Sequence, residues 1–348
     1  MNPKLEEYQA KRDFKATPEP AGAVEDADQH RFVIQQHSAT RLHWDLRLEH
    51  DGVLVSWALP RGVPWNPKEN HLAVHTEDHP MQYLDFHGEI PEGSYGAGTM
   101  FVWDTGTYDI EEWEDRKAVV VLHGQKVRGK YALFATRGRD WMIHRMDPPE
   151  DPTRRPPPRD LRPMWATKGP RPKTKGWALE VEWTGVRALL VNEPGLTTMT
   201  DADGTDISAA FPEIRRIGRA LGAEEVILDG VITSSAGREA LDRRLAAKSD
   251  STVRRMARDQ PAVYVAFDLI WHEGHECWDD EWRARRARLD ALDLGGDHWK
   301  VPTAHVGDGA AAIVEAARST GVEALVAKRV RSRYTPGVES DDWVEFEL

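Results

Sequence analysis

Between His37 and Glu49 the chain reads HSATRLHWDLRLE, and two residue classes separate in it at a spacing of two. Alternate side chains of a β-strand face opposite ways. Leu42, Trp44, Leu46 and Leu48 are therefore expected in a core, while His43, Asp45, Arg47 and Glu49 share the other face. A merely solvated face usually mixes Thr, Ser, Lys and Glu. Imidazole with carboxylate instead suits a divalent transition ion, and guanidinium is a planar fork for phosphate oxygens. His37 lies on the approach to the same strand, and His79 follows in HTEDHPMQYLDFHG. Two histidines and one aspartate make an open metal site, where an ion can activate water and hold a phosphoryl oxygen. Arg47 and His79 would then meet charge developing on the phosphate. The plainer alternative, a solvated edge strand, is not excluded by spacing alone.

The elements that must position these residues read as β. Asp51-Gly52 is a hairpin turn signal, and VLVSWALP begins the returning strand. From Arg31 to about Asp147 short strands with Gly and Pro turns and no helical periodicity predict a barrel or sandwich. GEIPEGSYGAG lacks the Lys-Ser/Thr ending of a P-loop and reads as turns around a close backbone approach. MDPPEDPTRRPPPRDLRP is a semi-rigid linker. After it, strands such as WALEVEW, EEVILDGVI and AVYVAFDLIW alternate with amphipathic helices at about Pro212–Leu221, Arg238–Asp259, Glu281–Leu292 and Gly309–Thr320. That texture predicts an α+β domain.

With 348 residues, two domains are the natural expectation. A single cysteine, Cys277, excludes an intramolecular disulfide and fits a reduced compartment. HEGHEC, with His272, His275 and Cys277, lacks a fourth zinc partner. No long apolar run is present, so a cytoplasmic protein with no membrane partner is expected. The net charge of −12 argues against broad non-specific nucleic-acid binding but leaves room for a local basic groove.

KRDFKATPEP, FVIQQHSATRLHWDLRLEHDGVLVSWALPRG and TEDHPMQYLDFHGEIPEGSYGAG together resemble the 3′-phosphoesterase domain of bacterial end-joining ligases of the ligase D type. The resemblance covers residues 1–147 and implies a barrel-like fold holding a manganese-type ion. It implies an enzyme that trims primer-strand 3′ ends of DNA or RNA-DNA, removing a terminal ribonucleoside and then the remaining phosphate. Carried over by position, His37, His43 and Asp45 would hold the metal, and Arg47, His79 and Tyr83 would engage the scissile phosphate. Arg12, Asp13 and Glu19 match residues used beside that active site, which implies a tail folded over the pocket. His71 stands where the family commonly has Arg. Nucleoid-associated work with Ku-like, polymerase or ligase partners is the implied setting.

Beyond a linker at residues 148–160, residues 161–348 resemble the nucleotidyltransferase domain of ATP-dependent DNA ligases, without the oligonucleotide-binding domain that follows it in those enzymes. LRPMWATKG, ILDGVI, AFDLIW, EALVAKR and WVEFEL fall in that order, and Glu323, Lys328, Arg187 and Phe267 keep the pattern. The nucleophilic lysine does not: Glu182 occupies its place, and a carboxylate cannot form the phosphoramidate of a lysyl-AMP. Val231, Ala202, Glu345 and Glu347 are further departures. The acidic exchanges, with Glu180 and Glu323, are expected to cluster, repel a triphosphate and recruit Lys328 or a cation. The expectation is a degenerate ligase-like domain that takes no ATP. An alternative of a different class is a non-catalytic DNA-end-binding or scaffold protein.

Overall fold

The computed structural model describes residues 3–22, 29–91, 93–173, 175–307 and 309–348. The chain forms two compact units, Met1–Pro152 and Thr153–Leu348.

The first unit contains β1 (Arg31–Ser38), β2 (Leu42–His50), β3 (Val53–Leu59), β4 (Asn70–His75), β5 (Gly88–Ile90), β6 (Gly98–Glu114), β7 (Lys117–Gly124), β8 (Arg128–Arg137) and β9 (Asp140–Arg145). Antiparallel pairing runs β1-β2-β3-β4-β9-β8-β7-β6 and returns to β1, closing a barrel of eight strands with β5 added on β6. Asp51 and Gly52 both take positive φ, 50° and 77°, as a two-residue hairpin turn of the expected kind requires. In β2, Trp44, Leu46 and Leu48 are buried and share a face with Phe32, Ile34, Trp57 and Leu59 on the flanking strands. This apolar face fills the barrel. Along the β1–β6 seam the register shifts between Ile34 and Gln35, because Ile34 pairs with Asp104 but Gln35 with Val102. Trp103 is thus the extra residue of a β-bulge.

The opposite face of β2 is no wet face. Asp45, Arg47 and Glu49 are 5%, 2% and 0% exposed. Their cover comes from the N-terminal segment, with a short helix at Glu6–Ala10, and from residues 77–90. Tyr8 of that segment packs with Val33 and Leu54 of the barrel wall and with Met81, Tyr83 and Leu84.

In the second unit a five-stranded sheet is ordered Trp165–Lys168, Glu339–Glu347, Ala324–Arg329, Trp177–Val181, His305–Val306. A seven-stranded sheet is built on Val186–Glu193, Val226–Thr233 and Val263–His272. Phe267, Ile270 and Trp271 of the larger sheet share a core with Met164, Tyr334 and Trp343 from around the smaller one. Two helix expectations need correction. Arg238–Asp259 is two helices, Arg238–Leu245 and Asp250–Asp259, because the Ser249 hydroxyl caps the second by accepting from Thr252 N at 3.3 Å. Pro212–Leu221 reduces to a 3-10 turn, Ile214–Arg216, followed by Ile217–Leu221. Cys277 lies in the apolar core, 2% exposed, while the His272 ring pairs with Glu224. Among the described residues no helix is long and apolar enough to cross a membrane.

Trp44 is 1% exposed and fills the barrel, so Trp44→Ala should cost about 3–5 kcal/mol. Urea unfolding followed by tryptophan fluorescence should show a lower midpoint with an unchanged slope.

Candidate active site

β1 and β2 bring the candidate metal ligands together by register. His37 pairs with His43 and Gln35 with Asp45, so these side chains share the outer face of the wall. One donor atom from each of His37, His43 and Asp45 lies within 4.8 Å of the others. His37 Nδ1 is 3.6 Å and His43 Nε2 3.7 Å from the Asp45 carboxylate. The remaining ring nitrogens meet backbone carbonyls at 2.9 Å, His37 Nε2 at Gly96 and His43 Nδ1 at Arg41. A ring nitrogen facing a carbonyl donates to it, so in a neutral ring the inward nitrogen is the one that offers a metal its lone pair. The donor set and its tautomers therefore fit a divalent transition ion. His43, 22% exposed at its side chain, opens the site to solvent.

Arg47 lies beside this cluster. Its Nε donates to Gln35 Oε1 at 2.8 Å and its Nη2 to Asp45 Oδ2 at 3.0 Å, while Nη1 is buried with no hydrogen-bond partner among the described residues. Burial works against charge on Asp45, but Arg47 and the two imidazoles outweigh it and hold its pKa below the usual carboxylate range. Gln35 in turn donates to the Tyr83 and Phe86 carbonyls, tying the covering segment to β1.

The tail supplies Arg12 and Glu19. Arg12 Nε donates to Glu19 at 2.6 Å, Nη1 to Glu77 at 2.9 Å, and Nη2 meets His79 Nε2 at 3.3 Å. The Tyr83 hydroxyl also donates to Glu19. His79 Nδ1 faces the Glu77 carbonyl at 2.8 Å, so Nε2 is the acceptor for Arg12. Burial first, then Arg47 and Arg12, push the His79 pKa well below its usual value, and its ring is neutral. In this state His79 carries no positive charge, and the cations beside it are the Arg47 and Arg12 guanidiniums.

Three expected residues stand apart from the cluster. Asp13 is exposed and caps a local turn by accepting from Lys15 N at 3.0 Å. Glu49 is engaged by the Arg31 guanidinium at 2.7 Å. His71 lies on the opposite face of the wall, since Asp45, Ala58 and Val74 share one side and His71 alternates to the other. Its Nδ1 meets the Gly62 carbonyl at 2.9 Å. Two participants escape the sequence reading, although each carries a signal. Gln35 shares parity with His37 in RFVIQQHS, and Glu77 precedes His79 by two in TEDH.

The second unit holds a cleft of about 480 Å³ lined by Glu182, Lys328, Arg187, Phe267, Trp343 and Glu345 among others. Of the acidic residues it is Glu180 that takes Lys328, with its ammonium at 2.9 Å, and not Glu182 or the final-strand glutamates. Arg187 grips Asp229 through two bonds of 2.7 Å. Burial, then the Glu345 charge, raise the Glu182 pKa above its usual value, with Glu323 adding and Lys168 opposing. Lys168 pairs with Glu345 at 3.2 Å. Glu347, exposed, lies opposite Ala324.

Residues 35–135 match the family described as the DNA Ligase D 3′-phosphoesterase domain, and residues 167–346 match the ATP dependent DNA ligase domain. The multifunctional non-homologous end joining protein LigD of Mycolicibacterium smegmatis is 38% identical over 99% of this chain and 46% of its own length. Its namesake from Pseudomonas aeruginosa is 32% identical over 98% of this chain and 47% of its own. This chain thus spans about half the length of those relatives. Among solved structures, the ligase domain of M. tuberculosis LigD is 31% identical, covering 53% of this chain and 59% of that one, with a TM-score of 0.44.

Burial disfavours charge on Glu77, but Lys11 and Arg12 outweigh it and hold its pKa below the ordinary 4.5. The folded state therefore binds this proton less tightly than the unfolded chain. The contribution to stability is present in full above about pH 4.5 and is lost as the pH falls through the lower folded value. Glu77→Gln should be less stable than the parent at neutral pH, and the gap should close on acidification. Urea midpoints measured across that range test this.

Proposed function

The chain belongs to the LigD-like proteins, a 3′-phosphoesterase domain followed by an ATP-dependent DNA ligase domain, and on that premise we propose a metal-dependent trimming enzyme for nucleic-acid 3′ ends in end joining. It removes a terminal ribonucleoside and then the remaining phosphate. The observation that carries this reading is Arg47 Nη1, buried and unpartnered beside the His37, His43 and Asp45 donor set. An open guanidinium N–H inside a protein is costly, and a phosphate oxygen satisfies it.

His37 Nδ1, His43 Nε2 and an Asp45 oxygen would hold the divalent ion, for which manganese is our choice. When bound, the ion supplies Lewis acidity and a water of lowered pKa. Arg47 and Arg12 bind and neutralise the phosphate. His79 meets the substrate neutral; phosphate charge between the two guanidiniums offsets the positive field that helps keep its ring unprotonated. Once the phosphate draws the Arg12 N–H off it, Nε2 takes the proton lost by the attacking water and passes it to the departing oxygen. Glu19 and Glu77 keep Arg12 aimed while this happens.

The second cleft, in this reading, does not adenylate. Glu182 has no nitrogen to offer the α-phosphate, and Glu345 adds negative charge where a triphosphate would lie. The unit serves docking or stability, and contacts with Ku-like, polymerase or ligase partners fall to it.

A labelled primer-template ending in one ribonucleotide, incubated with and without manganese, provides the test. The parent should trim only with the ion; His43→Ala should abolish trimming with a urea midpoint near parental, and Asp45→Ala should abolish trimming and also lower the midpoint, because it strands the buried Arg47 guanidinium. Parental rates from either variant would sink the metal assignment. Labelled ATP should leave no covalent adenylate on the parent or on Glu182→Lys, because Val231, Glu345 and Glu347 remain unsuited to it; a band on the parent would overturn the second half of the reading.

A further inference from the structure

Contacts around the candidate site form a closed circuit. His43 packs on His37 with ring centroids 4.7 Å apart, and Asp45 leads to Arg47 at 3.0 Å. Arg47 sits 4.9 Å over the Tyr83 ring, and Tyr83 meets His79 edge to face at 4.7 Å. His79 Nε2 meets Arg12, whose guanidinium carbon is 5.4 Å from the centre of the Tyr95 ring. The next residue, Gly96, closes the circuit with its carbonyl on His37.

Tyr95 is the outlier in this set. His37, Asp45, Arg47, His79 and Tyr83 are 1–5% exposed, whereas Tyr95 is 50% exposed. A large aromatic ring left in water costs hydrophobic free energy, and here it stands on the rim of a phosphate-binding site rather than in a remote loop. The ring is not left to swing. The Lys11 ammonium lies 4.8 Å over it and donates to its hydroxyl at 3.4 Å, and Lys11 is itself held by Glu7 at 2.8 Å and Glu77 at 2.9 Å. Cations near an aromatic ring and an uncovered ring surface are the two ingredients of a platform for unpaired bases. A nucleotide whose phosphate engages Arg47 and Arg12 must put its base somewhere, and the buried members of the circuit offer it no surface.

We propose that Tyr95 is a nucleobase subsite, stacking a base that flanks the scissile phosphate and so registering the 3′ end against the reaction centre. This rests on the end-trimming reading, and the stack is tolerant of sequence because every base has a π face. Tyr95 is a positioning residue: it touches substrate through the base and takes no part in proton or phosphoryl transfer. The hydroxyl is dispensable to the stack, so Phe preserves the function and Ala removes it.

The test uses the full chain and primer-templates carrying 2-aminopurine at the terminal or the penultimate position, since stacking on an aromatic ring quenches this fluorophore. Without metal, to prevent turnover, the parent and Tyr95→Phe should quench one of the two probes on binding, and Tyr95→Ala should not. With manganese, Tyr95→Ala should raise KM roughly tenfold, the size of one base stack, with kcat within about twofold. Manganese affinity by calorimetry should match the parent, because the Gly96 carbonyl that orients His37 is backbone. Equal quenching by parent and Tyr95→Ala, or an unchanged KM, would overturn the subsite. So would a loss of manganese affinity in Tyr95→Ala, which would make the residue a structural prop. Failure of the parent to trim any substrate while it still quenches the probe in a Tyr95-dependent way would overturn the trimming reading and leave the subsite standing.

Discussion

The first unit is arranged around one difficult requirement: a carboxylate that stays charged where almost no water reaches it. Asp45 keeps its charge because Arg47 and two imidazoles lie against it. Each helper then needs a partner of its own. Arg47 takes Gln35, Gln35 takes the carbonyls of Tyr83 and Phe86, and each histidine takes a backbone carbonyl. Networks of this sort in low-dielectric surroundings succeed or fail as units, since deleting one member strands the next. The covering segment and the tail are thus bound to the barrel wall by polar obligations as well as by the apolar contacts of Tyr8, Met81 and Leu84.

Much of this is legible in the sequence because a strand enforces alternation. HWDLRLE could only divide as it does, and Asp51-Gly52 could only turn. What alternation cannot reveal is what lies above a face. The tail's Arg12 and Glu19 reach the site through contacts 65 and 64 residues away in sequence, to Glu77 and Tyr83, and no local pattern encodes such pairings. Glu49 shows the converse failure. It has the right parity and still serves Arg31, because partner choice depends on the neighbouring strand. Aligned position singles out His71, whereas counting from Val74 along β4 puts it on the other side of the wall. In the second unit the helical periodicity across Arg238–Asp259 is real, but the Ser249 cap divides it.

The two units arrange similar charged parts differently. In the first, acids hold cations in place and one guanidinium N–H is left over. In the second, Lys328 and Arg187 are consumed by Glu180 and Asp229, and Glu182 lies beside Glu345 with Lys168 as their nearby cation. The difference lies in stoichiometry, not in residue type. One chain therefore carries a site with an unfilled guanidinium donor and a cleft in which two neighbouring carboxylates share one exposed lysine.

The bulge at Trp103 sets which side of β6 stands behind His37 and the candidate metal site. Because one extra residue is inserted there, Met100 lies opposite His37 and is buried with Tyr8 and Tyr83. In an unbulged ladder the partner of His37 would be Phe101, now 54% exposed, and residues 98–102 would all present their other sides. Asp104, just past the bulge, fixes the phase by accepting from the backbone of Thr105, Gln125 and Val127. The position thus tolerates changes of side chain far better than changes of length. A one-residue deletion at the seam would leave every candidate ligand in the chain and still invert the surface they rest on, so variation between relatives at this point should take the form of substitution and not of gaps.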